Sequence, residues 1–406
     1  MKVLQLCHKM PVPPLDGGSQ VMHFTTLALL GKKIDVKVLA MNPTRNYIDE
    51  STLPESYIRS ASFESVTVDT RIKPLAFFLN LFQQESYLSK RFESKEFERK
   101  LKSILVSETF DIIQLEHLYL CKFIPIIRRI SNAKIVLRPQ NVEYIIWERY
   151  LKNISNPFKK WILGIATRRL KKFEQRIPDL VDGILPLTPE DAKLFFEFNR
   201  NIPLHVLPMG YDYSRLKEYD FEKQFTVPPI VYHLGSMDWL PNEEAVSWFL
   251  DEVLPLVVKA KPEVHFVFAG RKMPTWIYEY QTMNIQVFDQ IDDPLEFQAD
   301  KVIMIVPLLS GSGIRAKIIE GLALGKTIIS TSVGAQGIDF TDNLNLLIAD
   351  TPEEFSHQII RCVNSMELCQ EIGKNARSLS LKLYNNDAIA LKMIQFYNQL
   401  LNRKDK

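Results

Sequence analysis

The residues best suited to chemistry lie in residues 301–337, KVIMIVPLLSGSGIRAKIIEGLALGKTIISTSVGAQG. There an apolar run leads into Ser310-Gly311-Ser312-Gly313, and a helical pattern opens at Ala316. Glycines let backbone N–H groups approach an anion, and a helix N-terminus adds its dipole. Arg315 and Lys317 fall in the first turn, where cations are ordinarily unfavourable beside that dipole. A bound diphosphate would account for both; so would a glycine-rich strand–helix connection with solvated charges. Glu320 stands one to two turns further in, where its carboxylate could accept hydrogen bonds from sugar or ribose hydroxyls. Gly311-x-Gly313-x-x-Ala316 also fits the loose dinucleotide fingerprint, which wants an acid about 20 positions on, after the next strand. That strand ends in Ser330-Thr331-Ser332 and no acid follows before Asp339, which argues against a nicotinamide cofactor.

Such a loop needs a sheet to hold it. Short apolar runs at 1–7, 36–40, 112–115, 134–137 and 183–187 read as buried strands. Helical stretches such as 19–30 and 95–107 alternate with them, the pattern of a parallel sheet covered on both faces. Punctuation at 203–210 and Pro228-Pro229 marks a restart. Runs at 230–234, 265–269, 285–288, 302–306 and 327–330 follow, with helices at 242–258 and 316–324. The expected architecture is α/β: two Rossmann-like, doubly wound domains facing a central cleft. The last helix, 386–401, carries apolar Ile389, Met393, Phe396 and Leu400 on one side. Cys362 and Cys369, seven apart on one expected helix, read as a shared core face, and neither Cys7 nor Cys121 completes a metal-binding spacing.

The 406 residues are 46% hydrophobic and 24% charged, a globular balance that excludes disorder for the chain as a whole. Four cysteines cannot staple a chain of this length. The N-terminus MKVLQLCHKMPVPP reads as a first core strand stopped by prolines rather than a signal peptide. The longest membrane-like piece, 74–82, is too short to span a bilayer. A reduced, cytoplasmic protein is expected. The net charge of +2 conceals an asymmetry, because residues 1–200 hold 31 Lys and Arg against 22 Asp and Glu. A basic front half suits an anionic surface or substrate.

PLLSGSGIRAKIIEGLALGKTIISTSVGAQGI resembles the donor-binding segment of retaining GT-B glycosyltransferases of family 4, the glycosyl transferases group 1 type. HLGSMDWLPNEEAVSWFLDEVLPLV is similar to the opening of their C-terminal domain in a bacterial polysaccharide subgroup, and RPQNVEYIIWERY to a stretch of their first domain. The resemblance covers nearly the whole chain. It implies an acceptor-side domain at 1–200, a nucleotide-sugar-binding domain at 201–385, and a terminal helix at 386–406 that crosses back to the first. It implies a hexosyltransferase using a UDP- or GDP-linked donor and a saccharide or lipid-linked acceptor, with retention at the anomeric carbon and no metal or other cofactor. The chain agrees in showing no DxD and no cluster with metal-ligand spacing.

Residue by residue, the resemblance assigns Glu320 to the ribose, and Ser310, Gly311, Ser312, Gly313 and Ile314 to the donor. The family's usual glutamate eight positions before Glu320 is Ser312 here. Gly235 and Ser236 open the second domain without the Arg many relatives place there, so Arg315 and Lys317 take over the diphosphate charge. Arg271, Gln290 and Ile291 fall where relatives bind the base. Gly17 and Gly18 correspond to a glycine pair that lets the backbone approach the donor, although Gly-Gly alone is an ordinary turn. His117 falls near the donor sugar, where a neutral ring could donate to a hydroxyl; Glu116 is its rival. Asn141 and Glu143 are expected on the acceptor side, with Gln140 where relatives carry His. Arg138 fits either a core-edge ion pair or an acceptor contact.

Residues 156–176, NPFKKWILGIATRRLKKFEQR, form a basic amphipathic pattern. It fits a helix lying on an anionic bilayer at the inner face of the cell membrane, and equally a core-packing helix with a solvated basic face. No DNA or RNA motif accompanies the basic residues, so no nucleic-acid partner is expected. Retaining transfer without a recognisable carboxylate nucleophile fits same-face attack, in which the departing phosphate oxygen takes the acceptor's proton. Two rivals stay open: a GT-B nucleotide-sugar 2-epimerase, and a degenerate member that binds nucleotide sugar without transferring it.

Overall fold

Every strand of a doubly wound sheet is covered on both faces, so its residues must be apolar almost without alternation. In the computed structural model, which describes residues 1–403 except 72, 74–76, 78, 81–84, 153, 155, 226, 227 and 312, such runs build two six-stranded parallel sheets. The first comprises β1 (Lys2–Cys7), β2 (Asp35–Pro43), β3 (Glu64–Val68), β4 (Ile112–Leu115), β5 (Lys134–Leu137) and β6 (Gly183–Ile184), in the order β3-β2-β1-β4-β5-β6. The second comprises β7 (Ile230–Leu234), β8 (His265–Ala269), β9 (Ile285–Phe288), β10 (Ile303–Val306), β11 (Thr327–Ser330) and β12 (Leu347–Ile348), in the order β12-β11-β10-β7-β8-β9. Both have the Rossmann order, whose reversal points lie between β1 and β4 and between β7 and β10. Ligands bind at the carboxyl ends of the strands at such points.

The chain divides into unit 1, Met1–Gly210 with Asn386–Lys406, and unit 2, Tyr211–Asn385. Residues 201–210 stay with unit 1, not with the second domain as expected. There the His205 and Leu207 N–H groups donate to the carbonyls of Ile184 and Pro186, extending the β6 edge. The helix Asn386–Asn402 is part of unit 1: Ile389, Met393 and Phe396 join Val3, Cys7, Met22 and Leu29 in one core. Its Tyr397 hydroxyl donates to the Gln114 carboxamide oxygen on β4.

Other differences have local causes. The expected helix 242–258 is Leu240–Trp248, a π-helical turn at Phe249–Val253 and Leu254–Ala260. Cys362 and Cys369 lie on separate helices, Pro352–Val363 and Met366–Leu383, because the Ser365 hydroxyl caps the second. Both cysteines are nonetheless buried in the unit 2 core. No helix among the described residues is long and apolar enough to cross a membrane. Most of residues 74–82 lie outside the described residues.

Candidate active site

Unit 2 presents the loops that follow β7 and β10, the strands flanking its reversal point. Gly311 and Gly313 adopt φ of +117° and +78°, a region that side chains disfavour. A Cβ on Gly311 would come within 2.7 Å of the Arg315 guanidinium and 3.3 Å of the Trp239 ring, so glycine is needed here for space as well. Arg315 is the N-cap of the helix Ala316–Ala323. Its Nη1 donates to the Gly313 carbonyl at 2.9 Å, and its guanidinium lies 5.5 Å from the Trp239 ring centroid.

Lys317 Nζ donates to Asn242 Oδ1 at 3.0 Å, and Asn242 Nδ2 donates to the Ser236 carbonyl at 2.8 Å. The Ser310 hydroxyl donates to Glu244. Three links thus brace one loop against the other: Ser310 to Glu244, Arg315 to Trp239, and Lys317 through Asn242 to Ser236. Burial, with the Arg315 charge beside it, pushes Lys317 down to about 7. On β7, His233 donates from Nδ1 to the Ile305 carbonyl at 3.2 Å, and burial and Lys317 hold the ring well below the usual histidine range. A glycine loop with two cations, both shielded from solvent, is suited to a diphosphate.

The other expected donor residues sit at different distances from this cluster. The Arg271 carbonyl accepts from Met237 N–H at 2.9 Å, which ties the β8 end to the Ser236 loop while the side chain is exposed. Gln290 and Ile291 follow the outer strand β9, and Ile314 is half-buried. Ser312 lies outside the described residues. Glu320, one turn beyond Lys317, is half-buried, and its carboxylate takes no hydrogen bond among the described residues. Burial pushes its carboxyl up, with Arg215 opposing. The carboxylate is therefore available to hydroxyl donors.

Gly270, which follows β8, was not anticipated. A Cβ there would fall 1.7 Å from the Gly235 carbonyl oxygen, a backbone atom that cannot step aside. Gly270→Ala is therefore expected to destabilise unit 2 by about 3 kcal/mol, the upper end for overpacking, and to displace Gly235. Urea denaturation checks the first effect, and loss of nucleotide-induced protection checks the second.

In unit 1, Gly17 and Gly18 open the helix Gly17–Gly31, capped by Asp16 with Ser19 in a capping box. Lys9 pairs with Asp16 at 2.6 Å, and Gln140 Nε2 donates to the Gly18 carbonyl at 3.2 Å. His117 ends the turn after β4. Its Nδ1 accepts from Tyr119 N–H at 3.3 Å and its Nε2 lies 3.2 Å from Glu143 Oε1. The Tyr119 hydroxyl donates to Glu143 Oε2 at 2.8 Å. This corrects the expectation that His117 offers a free N–H to a sugar: both ring nitrogens are engaged. Glu143, expected on the acceptor side, has both carboxylate oxygens occupied and orients His117. Burial works against the Glu143 charge, but His117 and Tyr119 hold its carboxyl below the usual range.

The neighbouring His8 ring lies 4.1 Å from that of His117, and burial, with His117 beside it, holds it well below the usual histidine range. Asn141 is half-buried and makes no hydrogen bond among the described residues, so its amide is free for a ligand. Glu116 is fully buried and accepts from Gln5 Nε2 at 2.7 Å and from Gln114. Burial, opposed by Arg138, pushes it up to about 7. Arg138 itself is a core-edge residue. Its Nη1 and Nη2 donate to the Leu207 and Pro208 carbonyls at 3.2 Å each, with Nε 4.0 Å from Glu116. His8 carried no sequence signal apart from its place just after β1, and Trp239 and Asn242 lie in the stretch HLGSMDWLPNEEAVSWFLDEVLPLV without being singled out there.

Part of the sequence and the whole fold resemble known proteins. Residues 228–365, which contain the braced loops, match the family described as Glycosyl transferases group 1. An uncharacterized 44.6 kDa protein in the cps region of Klebsiella pneumoniae is 22% identical over 305 residues, covering 71% of this chain and 75% of that one. Among solved structures, sucrose-phosphate synthase from Thermosynechococcus elongatus aligns with a TM-score of 0.70 at 17% identity, covering 98% of this chain and 99% of the other. HepE of Anabaena in complex with UDP-glucose aligns with a TM-score of 0.65 at 11% identity, covering 98% and 100%. Residues 228–365 thus resemble a group 1 glycosyl transferase domain, and the two sheets have the GT-B fold.

Proposed function

We propose that this protein is a retaining, family 4-type glycosyltransferase. It moves a hexose from a UDP- or GDP-linked donor to a saccharide acceptor, free or lipid-linked, in bacterial surface or exopolysaccharide assembly. The observation that carries the reading is the braced loop pair at the unit 2 reversal point, inside the matched region, where Arg315 and Lys317 face glycine backbone. UDP-glucose in the HepE complex favours a uridine donor, and the cps-region relative favours a polysaccharide product.

In this mechanism the Gly311 and Gly313 loop and the helix N-terminus receive the diphosphate, Lys317 and Arg315 offset its growing charge, and Glu320 holds the ribose hydroxyls. The leaving oxygen deprotonates the acceptor hydroxyl on the same face of the sugar. No metal is assigned a role. The protein works in the cytoplasm, at the inner face of the cell membrane when the acceptor is lipid-linked.

Thermal-shift measurements with UDP, GDP and their sugar conjugates, with and without EDTA, test the donor. NMR of the product's anomeric centre tests retention. A shift with one nucleotide family that survives EDTA supports the reading. No shift in folded protein overturns it, and epimerised donor without acceptor would replace it with the 2-epimerase.

Lys317 adds a pH dependence. A diphosphate favours its charged form, which the free site loses above about pH 7. Nucleotide binding above that pH must therefore take up a proton, and affinity should fall by up to about tenfold per pH unit towards the ordinary lysine range. Below pH 7 this contribution is flat. The folding term runs oppositely: the unfolded chain keeps the proton that the folded one has lost, so stability rises with pH over the same window. Calorimetry in buffers of different ionisation enthalpy reads the uptake, and Lys317→Met should abolish it.

A further inference from the structure

The helix Pro157–Arg176 is capped by Asn156, whose side chain accepts from Lys159 N–H at 3.0 Å. Its inner face buries Ala166, Thr167, Leu170 and Glu174 against unit 1. At 100° per residue, Phe158, Trp161, Ile165, Arg168 and Lys172 form a single stripe on the opposite face. Phe158 is 64% exposed and Trp161 57%, and their rings stack with centroids 6.3 Å apart. Two large aromatics held together in water at one helix end are not explained by packing. Lys159 and Lys160 between them are exposed and make no ion pair among the described residues. Arg169 donates to the Asn80 carbonyl at 2.8 Å, bringing Leu79, 54% exposed, towards the same helix.

The charge around this tip has one sign. From Arg149 to Phe173 the chain has eight Lys and Arg and no Asp or Glu. Of these, Lys171 is paired with Glu148 at 3.1 Å, whereas Lys152, Lys159, Lys160, Arg168 and Lys172 are exposed. An acidic protein surface would satisfy the cations but leave the aromatic pair wet. An anionic bilayer satisfies both, since aromatic rings settle at the headgroup boundary while lysines meet lipid phosphates.

We propose that the N-terminal half of the helix Pro157–Arg176 is a membrane-docking tip, inserting Phe158 and Trp161 into an anionic lipid surface while the flanking cations meet its phosphates. This deepens the membrane placement proposed above and rests on it only for its biological setting. The test uses neither donor nor acceptor, so the docking and transfer readings can fail separately.

The experiment is co-sedimentation of the full chain with vesicles of phosphatidylcholine with or without phosphatidylglycerol, at low and high salt. The wild type should bind the anionic vesicles and not the neutral ones, and bind less well as salt rises. Phe158→Ser with Trp161→Ser, and separately Lys159→Glu with Lys160→Glu, should each lower binding by about tenfold or more. Because all four side chains are exposed, both variants should melt with the wild type, which separates docking from misfolding. Brominated lipid should quench tryptophan emission in the wild type and less in Trp161→Phe. No binding to anionic vesicles at low salt would overturn the proposal. So would binding equal in all variants, or a single-stranded RNA that binds the tip more tightly than vesicles without using the aromatics.

Discussion

Replacing Lys317 with Met is expected to lower turnover by roughly 10²–10³-fold, the usual loss when one preorganised donor to a developing anion is removed. Stability should hardly change. Among the described residues the Lys317 side chain makes one hydrogen bond, to Asn242, and burial already works against its charge. A methionine of similar length removes that opposition and keeps the packing. Single-turnover rates with saturating donor, alongside a melting curve, check both halves. Lys317→Arg retains the charge but presents a wider head group where a Cβ on Gly235 would sit only 2.6 Å from Nζ, so partial activity is expected. Unchanged turnover in Lys317→Met would remove Lys317 from the diphosphate site.

Arg138→Met should destabilise unit 1 by about 3–5 kcal/mol, the range for removing one partner of a buried ion pair. Arg138 is completely buried, and without it the Leu207 and Pro208 carbonyls lose their donors and Glu116 its cation. The sign of the pH effect follows from Glu116, which is pushed up to about 7 by burial despite Arg138. Removing Arg138 raises it further. A carboxyl raised in the folded state loses stability as pH rises from its ordinary range through the folded value. The defect should therefore be smaller at pH 5 than at pH 8. Glu116→Gln in the same chain should recover much of the loss, since Gln5 and Gln114 still surround the amide. Hydrogen exchange of β4 and β5 amides reads unit 1 alone; a pH-independent defect would show that Glu116 is not the coupled group.

Strands with both faces covered were legible because burial leaves no alternation to blur them: β4, β5, β7, β8 and β11 run as expected. Among edge strands, β9 was legible from its alternating burial, whereas β3 and β12 were not. β3, Glu64–Val68, buries only Val66 and Val68, and β12 is two residues long. Both depend on pairing with β2 and β11 rather than on their own pattern. The π-helical turn at Phe249–Val253 escaped notice because one extra residue per turn barely alters apolar spacing.

For the site, residue types and positions could be read, but their partners could not. A strand followed by Gly311, Gly313, Arg315 and Lys317 offers the elements of the proposed anion site, because backbone freedom, dipole and charge are local properties. The partners come from far along the chain. Lys317 is held by Asn242 and Arg138 by the Leu207 and Pro208 carbonyls, while Gly270 yields its space to Gly235. His117 looked free because nothing in DIIQLEH announces Glu143, which reaches it from the helix after the next strand. The sequence by itself determined the two sheets, the glycine loop and the basic helix, all of which follow from periodicity and local chemistry. Only the tertiary structure decided which nitrogens are occupied, which cation lies in poor solvent and which aromatics are left in water, because hydrogen bonding and desolvation depend on neighbours that the sheet order alone brings together.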